Sequence, residues 1–122
     1  MPKDFYPDNA GITDPRCPLI YKQGWPHHKV IQLAYEVSGC DLRFVAMMEA
    51  ENDQWTVDRV GITDDVGLCQ VSPVHHPWIT SHPEFYDTVW QVDRCRQLWE
   101  IGTRFYGSDN IHITINRFYT YD

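Results

Sequence analysis

The stretch that decides the fold runs from Phe44 to Trp55 and reads FVAMMEAENDQW, and residues 66–71 complete it with VGLCQV. One helical face carries the spacing i, i+3, i+4 and i+7 and consists of Phe44, Met47, Met48 and Glu51. The other faces are apolar as well, which predicts a buried helix that begins after a cap at Asp41. An acid therefore ends an apolar face, where the next core residue is expected.

A carboxylate at the end of a buried helix has two interpretations. Glu51 is either a polar helix end that reaches solvent or pairs with an arginine, or a catalytic acid whose apolar surroundings raise its pKa. Glu49 points roughly 160° away from Glu51 on a helical wheel of ~3.6 residues per turn. The two carboxylates are therefore not a facing pair.

Two motifs separated by a loop carry a family resemblance. Glu51-Asn52 and then Gly67-Leu68-Cys69-Gln70-Val71 resemble the glutamate-serine and glycine-leucine-methionine-glutamine motifs of lytic transglycosylases and goose-type lysozymes. His76-Pro77 extends the similarity, which covers residues 28–107. The resemblance implies a mainly α, lysozyme-like helical domain that cleaves peptidoglycan between N-acetylmuramic acid and N-acetylglucosamine. The chain departs from the motifs at three points. Asn52 replaces serine, Cys69 replaces methionine, and the family's Ala-Tyr-Asn-x-Gly motif is not found near the C-terminus.

The resemblance also implies the residues of the site. Glu51 would be the general acid/base, which protonates the leaving glycosidic oxygen. We expect it at the floor of a cleft, partly buried, with Gln70 and His76 lining the same groove. Six residues are expected to contact substrate, namely Asn52, Gln70, Val71, His76, Tyr106 and Tyr119. Gln70 has a second interpretation as a brace of the loop backbone, and the two tyrosines compete for the family's tyrosine that steadies the glutamate.

The second carboxylate decides the type of reaction. An inverting hydrolase needs a base about 6.5–9.5 Å from the acid, and the candidates are Asp58, Asp64 and Asp65. Alternatively, the three aspartates belong to a solvated turn and have no catalytic role. Lytic transglycosylases, by resemblance, need the glutamate alone, because the muramyl 6-hydroxyl attacks and gives a 1,6-anhydro product. Since Ser72 stands where goose-type enzymes carry an aspartate, we favour the anhydro product over hydrolysis.

The alternative function is a catalytically idle lysozyme-like module that binds glycan or has a structural role. In either case the sequence predicts no cofactor. It also predicts no metal site, because His75, His76 and His82 lack the spacing of a regular zinc ligand pair.

Length and charge restrict the partners. A chain of 122 residues fits one domain with a modest core. A net charge of -7 argues against general nucleic-acid binding, which needs a basic face. No apolar run approaches the ~20 residues of a membrane span. We expect a monomer that binds peptidoglycan glycan strands through shape, ring stacking and hydrogen bonds.

The four cysteines allow three pairings, and two disulfides are about as compatible with the sequence as four buried thiols. Of the pairings we prefer Cys69 with Cys95 and Cys17 with Cys40. Residues 1–4 do not begin an apolar leader. The expected location is extracellular, periplasmic or phage-associated, after removal of a signal or by another route of export.

Proline and periodicity predict the order of elements. Residues 1–25 are predicted to form an extended arm packed on a domain of residues 26–122. Pro26 is predicted to open the first helix, and a last clear helix is expected at about 88–101 after a cap at Asp87. Residues 56–66 are predicted to form a small β-hairpin or loop near the cleft, and residues 111–119 alternate like a strand.

Overall fold

The computed structural model describes residues 17–20 and 26–101, and the fold of this part is mainly α, as predicted. Its helices are α1 His28–Val37, α2 Leu42–Glu51, α3 Pro77–Thr80 and α4 Thr88–Glu100. Between α2 and α3 the described chain has two isolated β-bridges, which pair Val66 with both Val60 and Val71. The predicted hairpin over residues 56–66 is therefore a bridged loop. Residues 111–119 lie outside the described part.

Helix α1 begins two residues later than predicted. Its N-cap is His27, which has a left-handed backbone with φ of 62°. This backbone angle interrupts helical geometry between Pro26 and His28, so Pro26 lies in the preceding turn. The prediction that Pro26 occupies the first helical position is wrong.

The end of α1 has a left-handed glycine cap. Gly39 has φ of 75°, and the Cys40 N–H donates to the Tyr35 carbonyl at 2.8 Å. The Gly39 N–H donates to the carbonyl of Glu36 at 3.1 Å, which completes a Schellman motif. This turn brings the chain directly to the cap of α2.

The cap and the burial of α2 agree with the prediction. Asp41 Oδ1 accepts hydrogen bonds from the N–H groups of Arg43 and Phe44 at 2.9 and 3.4 Å. The five residues from Phe44 to Met48 have 0% exposure. Helix α1 packs against both α2 and α4. The other oxygen of Asp41 accepts from Trp99 Nε1 at 3.2 Å, which joins the start of α2 to the end of α4.

Helix α4 has the predicted cap and nearly the predicted length. Asp87 Oδ2 accepts from the Trp90 N–H at 2.9 Å, and Ile101 is the C-cap. Val92 and Cys95 are buried, as expected for its inner face. Trp99 is half-buried and meets the Phe44 ring edge-on, with 6.1 Å between the ring centroids.

A network of ion pairs occupies another face of α4. Asp93 pairs with Arg94 at 2.6 Å and with Arg96 at 2.8 Å, and Arg96 also pairs with Glu100 at 2.8 Å. Burial acts to raise the pKa of Asp93, but the hydrogen bonds and charges of Arg96 and Arg94 outweigh it and lower that pKa. The hydrogen bond that Arg96 donates to Asp93 raises the pKa of Arg96. None of the predicted site residues belongs to this network.

The described part of the predicted arm packs against α1. Cys17 and Ile20 are buried, whereas Leu19 is exposed. The Ile20 N–H donates to Gln32 Oε1 at 3.2 Å, and Gln32 Nε2 donates to the Pro18 carbonyl at 3.0 Å. A buried glutamine on α1 therefore holds residues 17–20 in place. The rest of the arm, residues 1–16 and 21–25, lies outside the described residues.

Two disulfides are present, and both pairings agree with the prediction. Cys17 is bonded to Cys40, and Cys69 to Cys95. The first bridge fixes the described part of the arm at the end of α1. The second fixes residue 69, within the sequence VGLCQV, to α4. In residues 17–20 and 26–101 no helix has both the length and the apolar character to cross a membrane.

We expect each disulfide to be a large part of the stability of the domain. The bridges span 23 and 26 residues, and closing loops of this size stabilises a fold by about 3 kcal/mol. The double variants Cys17→Ser/Cys40→Ser and Cys69→Ser/Cys95→Ser should each lower the free energy of unfolding by about that amount. Urea titration measures the change. Detection of four reactive thiols in the denatured, unreduced protein would contradict both bridges.

Candidate functional site

Glu51 is the last residue of α2 and is half-buried. The apolar residues that precede it on the helix form the centre of the core. Asp53 follows on the exposed side, where it pairs with Arg59 at 3.3 Å and keeps 73% of its side chain exposed. Glu51 thus lies where the core meets the surface.

Asn52 joins the end of α2 to the second motif. It is completely buried, and its Nδ2 donates to the carbonyls of Thr56 at 2.8 Å and of Gly67 at 3.0 Å. Both hydrogen bonds that the side-chain amide donates are therefore made to the protein backbone. The substrate contact expected of Asn52 stays a prediction, although the complete burial of its side chain disfavours it.

Gln70 braces the loop, which is the second of its two interpretations. Its Nε2 donates to the carbonyls of Gly67 at 2.9 Å and of Arg59 at 3.2 Å, and the residue is 6% exposed. A Cβ at Gly61 would lie 2.3 Å from Gln70 Oε1, so the glycine makes room for the amide. The direct sugar contact predicted for Gln70 is not supported, since both of its donor contacts are to the backbone of the loop.

Val71, like Gln70, is buried and helps to hold the loop together. Its side chain is buried, and its backbone exchanges two hydrogen bonds of 2.9 Å with Val66. The substrate contact expected of Val71 stays a prediction, which the burial of its side chain disfavours. Cys69, on the same turn, is fixed by its disulfide to Cys95. We call residues 66–71 the motif turn.

Gln91 of α4 is a site residue that the sequence analysis missed. It is buried, and its Oε1 accepts from the Leu68 N–H at 2.8 Å. Its Nε2 donates to the carbonyls of Val57 at 2.9 Å and Phe85 at 2.6 Å. Gly67, with φ of 94°, lies so close that a Cβ would be 2.8 Å from Gln91 Oε1. The signal was a polar residue on the same helical stripe as Cys95 and Leu98, at i, i+4 and i+7.

A buried pair next to the site was also missed. Glu49 is only 8% exposed, and its Oε1 accepts from Trp55 Nε1 at 2.6 Å. Trp55 is buried and has a left-handed backbone with φ of 52°, which is unusual for a bulky residue. The chain thus turns sharply just after α2 in order to bring the indole back to the helix.

The three candidate second carboxylates lie on the loop before the motif turn. Asp58 and Asp64 are exposed, and Asp65 is half-buried and accepts from Thr63 Oγ1 at 3.2 Å. Asp64 has a left-handed backbone with φ of 67°. These features are those of a solvated turn. Their role as a catalytic base stays a prediction.

His76 occupies the N-cap position of the short helix α3, without a capping hydrogen bond from its side chain, and is half-buried. Its N–H donates to the Ser72 carbonyl at 2.8 Å, so the segment after the motif turn is itself a closed turn. His82 stacks on Trp90 at 4.5 Å between the ring centroids. Within residues 17–20 and 26–101, no three His, Cys, Asp or Glu side chains are grouped so as to hold a metal ion.

An apolar pocket lies behind the motif turn. Its lining includes Leu68, Val71 and Phe85 together with the Cys69–Cys95 bridge. Glu51 does not line this pocket, and no carboxylate is part of its wall. The pocket is therefore not the predicted cleft, and the shared groove of Glu51, Gln70 and His76 stays a prediction.

The structure brings Asn52, Gly67 and Gln70 into one hydrogen-bonded unit, and Glu51 precedes Asn52 as the last residue of α2. Tyr106 and Tyr119, the two candidates for the tyrosine that steadies the glutamate, lie outside the described residues. Comparison of the chain with protein-family models, with curated proteins and with solved structures gives no match.

Proposed function

We propose that this protein cleaves the glycan strands of peptidoglycan between N-acetylmuramic acid and N-acetylglucosamine, with Glu51 as the general acid and base. The observation that carries the proposal is the hydrogen bond of 3.0 Å from Asn52 Nδ2 to the Gly67 carbonyl. It joins the two motifs of the lysozyme-like pattern, although 15 residues separate them. Glu51, a half-buried glutamate, immediately precedes Asn52 in the chain, which supports its assignment as the proton donor.

The proposed reaction needs one carboxyl group. Protonated Glu51 gives its proton to the glycosidic oxygen as the bond from C1 of N-acetylmuramic acid to that oxygen breaks. The resulting carboxylate then accepts the proton of the muramyl 6-hydroxyl, whose oxygen bonds to C1. The products are a free 4-hydroxyl on N-acetylglucosamine and a 1,6-anhydromuramyl end, and no water is consumed.

The net charge and the disulfides bear on how the protein would recognise its substrate and where it would act. A net charge of -7 provides no attraction for an anionic wall polymer, so recognition would depend on shape, ring stacking and hydrogen bonds. Two disulfides are typical of proteins that work in oxidising compartments. The disulfides fit a protein that acts outside the reducing cytosol.

A second candidate is a glycan-binding or structural module without catalysis. The observation in its favour is that the amides of Asn52 and Gln70 both donate to backbone carbonyls, which removes two groups expected to bind sugar. Clearance of purified cell walls by the wild-type protein separates the two candidates. Binding without any clearance would support the idle module.

Mass spectrometry of the released muropeptides tests the type of reaction. We expect anhydromuramyl ends, and we expect Asp58→Asn, Asp64→Asn and Asp65→Asn each to keep the rate within about threefold, because proton transfer by one residue is worth 10²–10⁴-fold and none of the three has that role. Reducing ends, together with one aspartate variant as inactive as a variant of Glu51, would assign a hydrolase instead.

A further inference from the structure

The carboxamide of Asn52 is oriented by its partners. Both groups that face Nδ2, the carbonyls of Thr56 and Gly67, can only accept hydrogen bonds. The amide must therefore direct its nitrogen at them, and two hydrogens are needed to satisfy both. A serine hydroxyl has one hydrogen to donate, and a carboxylate has none.

The other end of this carboxamide is unsatisfied. Oδ1 of Asn52 is buried, and no residue in the described part of the chain donates to it. A buried acceptor without a donor is unfavourable for folding, and such groups are rare in native proteins. The two bonds made by Nδ2 therefore account for the orientation of the carboxamide within the described part of the chain.

Those two bonds fix the relative position of the two motifs. The Asn52 N–H donates to the Met48 carbonyl at 2.9 Å, so its main chain belongs to the end of α2 next to Glu51. The Gly67 carbonyl accepts from Asn52 at 3.0 Å and from Gln70 at 2.9 Å. The Gly67 carbonyl thus accepts one hydrogen bond from a side-chain amide of each motif.

We infer that Asn52 is a positioning residue, which sets the carboxyl of Glu51 relative to the motif turn through the Gly67 carbonyl. The inference rests on the proposed function, because it concerns the same site. The completely buried side chain of Asn52 is placed to act on its protein neighbours and not on substrate directly. Its effect on the reaction acts through the placement of its neighbour, and a misplacement of about 1 Å reduces rates by about 10²-fold.

Asn52→Asp and Asn52→Ser test this inference. The first substitution keeps the shape and removes both donors, whereas the second keeps one donor. We expect kcat on soluble glycan strands to fall about 100-fold in Asn52→Asp and by an intermediate factor in Asn52→Ser, with KM changed less than about threefold. Gln54→Glu is the matched control, because it makes the same amide-to-acid change at an exposed position two residues further on.

Amide hydrogen exchange gives a second measurement that does not depend on turnover. The protection of the Gly67 and Gln70 N–H groups should fall in both Asn52 variants and not in Gln54→Glu. If Asn52→Asp does not fold, Asn52→Ser decides the question alone. An active wild type with a folded Asn52→Ser variant of unchanged kcat and protection overturns this inference. A wild type that cleaves no glycan overturns the proposed function, and exchange still reports whether Asn52 couples the motifs.

Discussion

Replacement of Glu51 by glutamine is expected to lower the rate of glycan cleavage by about 10²–10⁴-fold, the usual effect of losing a general acid. Glutamine keeps the size and the hydrogen-bonding shape of the side chain but has no acidic proton to transfer. The fold should be unaffected, because α2 is held by the buried residues Phe44 to Met48. Clearance of purified cell walls and release of muropeptides measure the rate.

Two neighbouring acids provide matched controls for Glu51→Gln. Asp53→Asn changes an exposed carboxyl two residues further along, and it should leave the rate within about twofold, because surface substitutions away from a site have small effects. Glu49→Gln makes the identical change two residues earlier on α2, where the amide oxygen can still accept from Trp55. If Glu49→Gln abolished cleavage and Glu51→Gln did not, the catalytic acid would be Glu49, on the other face of the helix, and not Glu51.

Gln91→Leu is expected to lower the free energy of unfolding by about 3 kcal/mol, because it leaves three buried or half-buried backbone groups without their partner. These groups are the Leu68 N–H and the carbonyls of Val57 and Phe85. Leucine has nearly the same volume, so the lost hydrogen bonds and not a cavity dominate the change. The melting temperature should fall by about 10 °C or more.

Gln97→Leu is the control for this substitution. It makes the same change on the same helix, but Gln97 is half-buried and its side chain hydrogen-bonds to the side chains of Arg94 and Asp93 instead of to the backbone of the motif turn. Its effect should stay below about 1 kcal/mol. Equal destabilisation by the two variants, measured by urea titration with both disulfides intact, would show that Gln91 does not hold the motif turn.

The features that the sequence predicted correctly depend on neighbours along the chain. The caps at Asp41 and Asp87 and the buried character of α2 follow from residues within one or two helical turns. The start of α1 was predicted two residues too early. Glycine would have indicated a left-handed backbone, but here the residue with that backbone is His27. Local pattern thus predicts the helices but not each of their ends.

The features that the sequence could not predict depend on partners far away along the chain. Gln91 has its role because Val57, 34 residues earlier, presents a carbonyl to it. Residues 56–66 were predicted to form a small β-hairpin or loop. The bridge from Val60 to Val66 lies within this range, whereas the bridge from Val66 to Val71 reaches beyond it. Periodicity shows that a position is buried, but only the folded arrangement shows which backbone group meets it there.

The two disulfides have a consequence for how the chain oxidises. They join neighbouring cysteines, Cys17 with Cys40 and Cys69 with Cys95, so the two closed loops follow each other and do not interlock. Loop-closure entropy favours such short loops over the longer ones of the crossed pairing. Each bridge can therefore form without waiting for the other, and few mispaired species need to be reshuffled. Helix α2 lies between the two loops, so the segment that carries Glu51 reaches its place by packing and hydrogen bonding, with no covalent tie of its own.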